Sequence, residues 1–89
     1  MIAQLKEMNE DLKKFLSKKI FEERTGIENE IINDALIHGF KEQDALNGLH
    51  IFLNNELITK PLNAPIPGLN KDFLINDSKF AELKAKGYL

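Results

Sequence analysis

The residues best equipped for chemistry are few. His38 and His50 are the two histidines of the 89-residue chain. Asp34 lies four positions before His38, and Glu30 four before Asp34, so a helix would carry these oxygen and nitrogen donors on one face. A solvated helix face, with an imidazole near a C-terminus where positive charge is favoured, accounts for the same spacing, and no metal or cofactor is expected. Ser17, Thr25, Thr59, Ser78 and Tyr88 are the hydroxyls. None stands in a nucleophile motif: Ser17 is placed beside lysines on a helix surface, and Ser78 suits a helix cap. Cysteine is absent, which removes disulfides, thiolate nucleophiles and thiolate zinc sites together. Glu22-Glu23 is an ordinary helix-surface pair, and Pro67-Gly68-Leu69-Asn70-Lys71, with one glycine, lacks the pattern of a phosphate loop. A catalytic constellation is missing, and a non-enzymatic protein is expected.

Two groups of residues could bind rather than react. Lys13, Lys14, Lys18 and Lys19 form a local basic cluster able to meet an anion, a nucleic acid or an acidic partner. Acids flank it at helical spacing, so Glu10–Lys14, Lys18–Glu22 and Lys19–Glu23 are expected as surface pairs. Leu62, Ile66 and Leu69 are apolar residues in a proline-rich stretch and would offer a protein contact patch.

These groups must be positioned by helices. Ile2, Leu5, Met8, Leu12, Phe15, Leu16 and Ile20 recur at spacings of three and four, which predicts one amphipathic helix over Met1–Arg24, ended by a left-handed Gly26. Ile27–His38 reads as a second helix, with Ile27, Ile31, Ile32, Ala35 and Leu36 inward, Gly39 as its stop and Phe40 folding back onto the core. Lys41–Leu57 reads as a third, with Leu46, Leu49, Leu53 and Leu57 on one side and Ala45 and Phe52 beside them. Gly48 inside it costs about 1 kcal/mol against alanine, which close approach of the second helix would explain. Pro61, Pro65, Pro67 and Gly68 exclude regular helix between Lys60 and Lys71. Phe73-Leu74-Ile75 could pair with Leu57-Ile58-Thr59. Asp77 or Ser78 would then cap a last helix through Lys86, with Gly87 at its end and Tyr88 packed on Leu83. The expected fold is mainly α, a compact four-helix domain of residues 1–89 with a Pro-rich loop. A small two-stranded β wing, winged-helix-like, would be added if 57–59 and 73–75 pair.

That order of elements also suits a winged-helix DNA-binding regulator, but the chemistry opposes it. Lys41–Leu57 offers one lysine, no arginine and three acids, Glu42, Asp44 and Glu56. The sequence pI is near 5.6, so the basic footprint of a nucleic-acid protein is missing. Asn47, Asn54 and Asn55 could touch bases, with help from the Lys13–Lys19 segment or dimerisation.

Hydrophobic residues make up 43% and charged residues 29%, with net charge −2, the balance of an ordinary globular domain. No run approaches the roughly 20 apolar residues of a membrane helix. The start, Met1-Ile2-Ala3-Gln4-Leu5-Lys6-Glu7, is charged and amphipathic, unlike a secretory signal, and a cytoplasmic setting is the default expectation.

The run Ile66-Pro67-Gly68-Leu69-Asn70-Lys71-Asp72-Phe73 resembles a segment of the YihD family, small uncharacterised proteobacterial proteins of almost this length. Phe80, Leu83 and Ala85-Lys86-Gly87 are similar to that family's C-terminal helix, and Gly39-Phe40 to an earlier pair. The resemblance spans the C-terminal half. The family's acidic stretch after the aromatic and its terminal arginine are replaced here by Leu74-Ile75-Asn76-Asp77-Ser78 and lysines. The resemblance implies a compact helical protein and carries over no catalytic residue. The resulting expectation is a small regulatory or adaptor protein acting through another protein or as a homodimer. The winged-helix regulator is the alternative, and a small-molecule pocket beside the Pro-rich loop is a third.

Overall fold

A computed structural model describes residues 2–60 and 72–89. The protein is mainly helical with a small antiparallel sheet, as expected, but the long first helix is divided. Helix α1 (Ile2–Glu7) stops before Asn9, whose backbone is extended and whose Oδ1 accepts from the Leu12 amide at 3.0 Å. Asn9 thus caps α2 (Glu10–Ser17), and Glu10 and Asp11 place negative charge against its N-terminus. The asparagine followed by two acids is a start signal that the unbroken apolar stripe conceals. Buried Lys13 bridges the break, its Nζ donating to the Leu5 carbonyl at 3.3 Å.

A π-helical turn, Lys18–Glu22, continues α2 and directs Ile20 into the core and Phe21 onto Phe80. It ends at Arg24, not at Gly26: Arg24 takes the left-handed backbone (φ 61°), while the Thr25 amide reaches the Lys19 carbonyl at 3.1 Å. Gly26 instead offers its carbonyl to the amides of Asp72 (2.8 Å) and Phe73 (3.0 Å).

Helix α3 (Glu28–Ile37) has Ile27 at its N-cap, a side chain that cannot accept. Asp72 serves from 44 positions away, its Oδ2 accepting from the Glu28 amide at 2.8 Å. Ile31, Ile32 and Ala35 are buried, whereas Leu36, expected inward, is 45% exposed. The helix closes as expected: Gly39 is left-handed (φ 94°), its amide and that of Phe40 bond to Leu36 and Ala35 carbonyls, and Phe40 packs on the core.

Helix α4 (Glu42–Asn54) is the central element, packed against α1, α2, α3 and the strand that follows. Its buried face is Ala45, Gly48, Leu49 and Phe52, with Leu46 and Leu53 half-buried, a rotation from the leucine stripe expected. Leu57 lies beyond the helix: Glu56 turns left-handed (φ 62°) and the Leu57 amide bonds back to Phe52 at 3.0 Å. Gly48 does have a packing reason, but the neighbours are α2 and Met8, in the break before it, rather than α3. A Cβ there would stand 2.6 Å from Leu16 Cδ1 and 2.9 Å from Met8 Cε.

Strands β1 (Ile58–Thr59) and β2 (Leu74–Ile75) pair antiparallel, Ile58 with Ile75 and Thr59 with Leu74. Leu57 and Phe73, expected within the strands, flank them in the core. Helix α5 (Asp77–Ala85) is capped by Asn76, whose Oδ1 accepts from the Lys79 amide at 3.1 Å, and not by Asp77 or Ser78. Gly87 (φ 85°) ends it, and the Tyr88 amide bonds to the Leu83 carbonyl at 3.0 Å. Among the described residues no helix is long and apolar enough to cross a membrane.

Candidate functional site

The four lysines of the basic cluster part company in the fold. Lys13 is 5% exposed, and its ammonium is occupied by the Leu5 carbonyl and by Glu10 Oε1 at 3.0 Å. Lys19, its side chain 14% exposed, pairs with Asp34 and, at 3.2 Å, with Glu23. The hydrogen bond to Asp34 raises the Lys19 pKa despite desolvation, and the same bond holds the Asp34 carboxyl below its ordinary value. Of the surface pairs expected, Lys19–Glu23 forms. Glu10 turns to Lys13 instead of Lys14, and Lys18–Glu22 is not among the ion pairs of the described residues.

Lys14 and Lys18 therefore remain as unpaired cations among the described residues, one helical turn apart. They form a ridge shared by two hollows. On one side, Phe15, His38 and Phe40 line a hollow of about 520 Å³ with Asp11. Phe15 meets His38 at 5.0 Å and Phe40 at 5.5 Å between ring centroids. His38 Nδ1 lies 2.8 Å from the Asp34 carbonyl, an acceptor, so this nitrogen carries the proton. Ile37, the residue before His38, is 78% exposed beside the 45% exposed Leu36.

On the other side, the face of α2 and the π turn meets α5 across a groove of about 620 Å³. Its floor is the Phe21–Phe80 stack, centroids 4.0 Å apart and planes at 16°, with Leu89 alongside. Lys84 Nζ stands 5.6 Å from the Phe80 centroid, above that floor. Ser17 lines the groove, its Oγ buried without a hydrogen-bond partner among the described residues. Ser17 was expected on a solvated surface; its Oγ is buried instead. Asp77, also on the rim, is claimed by Arg24, whose hydrogen bond lowers its pKa.

The other expected sites fare unevenly. Leu62, Ile66 and Leu69, and most of the YihD-like run, lie outside the described residues. Asp34 is committed to Lys19, and no group of three or more His, Asp or Glu among the described residues is arranged to hold a metal ion. Of the asparagines proposed to read bases, Asn55 is buried and donates to the Ile51 carbonyl at 2.8 Å, Asn47 accepts from Gln43, and Asn54 donates to Gln4. Phe21, Phe80, Lys84 and Leu89 were not assigned to a site from sequence, because positions so far apart carry no joint periodic signal. The arrangement supplies unpaired cations beside aromatic surface, which is the chemistry of binding. The chain matches no family model, no curated protein and no solved structure.

Proposed function

We propose that this is a small non-enzymatic regulatory or adaptor protein of the cytoplasm that acts by contact with another protein. The observation that carries the reading is the surface at the end of α3. Ile37 is 78% exposed there, Leu36 is its neighbour, and the adjoining hollow is lined by Phe15, His38 and Phe40. Half-buried aromatics beside an exposed aliphatic make an anchor site, and unpaired Lys14 and Lys18 at its edge favour a partner that is acidic as well as apolar. Kinship with the YihD family, and a contribution from Leu62, Ile66 and Leu69, belong to the same proposal. Affinity capture with the intact chain tests it: Ile37→Asp, at a position that contributes little to the core, should lose the partner while keeping the wild-type melting curve. A chain that stays monomeric at high concentration and captures nothing counts against the reading, while self-association abolished by Ile37→Asp identifies the partner as a second copy.

The winged-helix DNA-binding alternative is favoured by one observation, the pairing of β1 with β2 after the α3–α4 turn. Against it, α4 exposes Glu42, Gln43, Asp44, Asn47, His50 and Asn54, with no cation among them. Salt titration of binding to random duplex DNA separates the readings, since phosphate contacts strengthen at low salt.

A further inference from the structure

The groove between α2 and α5 joins three features found together at small-molecule sites. Its volume of about 620 Å³ lies within the roughly 300–1,000 Å³ of such sites. Its floor is a flat aromatic stack with an aliphatic end at Leu89. Its wall carries Ser17, whose Oγ is buried without a hydrogen-bond partner among the described residues. A rotation of this side chain toward the groove would let a ligand supply the missing partner. The charges on the rim narrow the ligand. Glu10 and Asp77 are neutralised by Lys13 and Arg24. This leaves Lys14, Lys18 and Lys84 against Glu22 as the charges without an ion pair among the described residues.

We propose that this groove binds a small amphipathic anion, a single carboxylate head on an apolar body. The head is met by the rim ammonium groups and the Ser17 hydroxyl, and the body lies on Phe21, Phe80 and Leu89. A polyanion would also meet the unpaired Glu22, whereas a monoanion needs only the lysines. The proposed ligand is a free molecule and not a bilayer lipid. The site does not rest on the protein-contact proposal, although Lys14 and Lys18 serve both; an occupied groove would lower the charge offered to an acidic partner.

The test is a titration of the isotope-labelled full chain, followed by amide NMR shifts, with laurate below its micelle concentration. Saturable shifts centred on Ser17, Lys18, Phe80 and Lys84 are expected. Lys18→Glu combined with Lys84→Glu should weaken binding at least about tenfold, the scale of losing charge-assisted hydrogen bonds. Lys41→Glu, outside the groove, should leave it within about twofold on the same scale. Ser17→Ala should weaken laurate several-fold without lowering the melting temperature, which separates ligation from a structural role. Dodecanol and inorganic phosphate, each holding half of the chemistry, should bind far more weakly. Laurate shifts scattered away from the groove, equal affinity for dodecanol, or indifference to the charge reversals would overturn the proposal. So would recruitment to anionic lipid vesicles with no response to free laurate.

Discussion

Arg24 grips Asp77 through two parallel hydrogen bonds, Nη1 to Oδ1 at 2.6 Å and Nη2 to Oδ2 at 3.1 Å, across 53 positions of chain. The fork ties the end of the π turn to the first turn of α5 and so fixes one end of the groove. Arg24 makes this contact from a left-handed backbone (φ 61°) that glycine would adopt more easily. Glu56 holds the same conformation after α4 (φ 62°), but its exposed side chain has no partner among the described residues.

The two positions should answer the same substitution differently. Glu56→Gly removes an unfavourable φ and sacrifices no side-chain contact, so unfolding in urea should show a gain of about 1 kcal/mol. Arg24→Gly relieves the same backbone but loses the fork, and should gain less or destabilise. Equal gains at both sites would mean that the fork contributes nothing.

Stability should fall in acid through three carboxylates, Asp77, Asp34 and Glu82, the last held down by its hydrogen bond from Lys79. Hydrogen bonds from Arg24 and Lys19 hold Asp77 and Asp34 below the ordinary value of 3.8. A depressed folded pKa gives stability that is fully present above the unfolded value and is lost as pH falls through the folded one. Wild type should therefore change little from neutrality to about pH 5 and weaken progressively below about pH 4. Asp77→Asn and Asp34→Asn, compared by urea unfolding, should each flatten that acid limb. Lys19, raised above 10.5, contributes below that value and loses its contribution as pH rises through its folded pKa.

Gly48→Ala sets helix propensity against packing. Alanine is favoured by about 1 kcal/mol in a helix interior. Here its methyl would crowd Leu16 Cδ1 at 2.6 Å and Met8 Cε at 2.9 Å, both ends of buried side chains that would have to shift. Overpacking of about 1–3 kcal/mol should prevail, giving net destabilisation. Met8→Ala should reduce the cost of Gly48→Ala in a double-mutant cycle.

Asn76→Ala should cost more than Asn9→Ala. Asn9 accepts one amide bond, whose loss is worth about 1 kcal/mol. Asn76 caps α5 and also donates Nδ2 to the Glu56 carbonyl at 3.1 Å, tying α5 to the end of α4, so about 1–2 kcal/mol is expected there. Thermal melts of the pair, with Ser78→Ala as the near-neutral comparison, check the assignment of the cap.

What the sequence determined was local. Apolar residues at helical spacing, Gly39 and Gly87 at helix ends, and β-branched residues around 58 and 75 prescribe helices, stops and extended segments, because backbone geometry and side-chain periodicity act over a few residues. Whether the two extended segments pair is left open by the sequence and is decided by the fold. The break at Asn9 has a local signal too, an asparagine followed by two acids, but the apolar stripe that predicts one helix over Met1–Arg24 hides it. What only the tertiary structure decided was which distant residues meet. Packing of α4 against α2 and Met8 explains Gly48, and Asp72, just before β2, caps α3. Lys13 and Lys19 are consumed by Leu5, Glu10, Glu23 and Asp34, leaving Lys14 and Lys18 free among the described residues. The stacking of Phe21 on Phe80 exists only because α5 returns to the π turn. No spacing rule encodes these contacts, since each depends on where the whole chain places two segments and not on the residues between them.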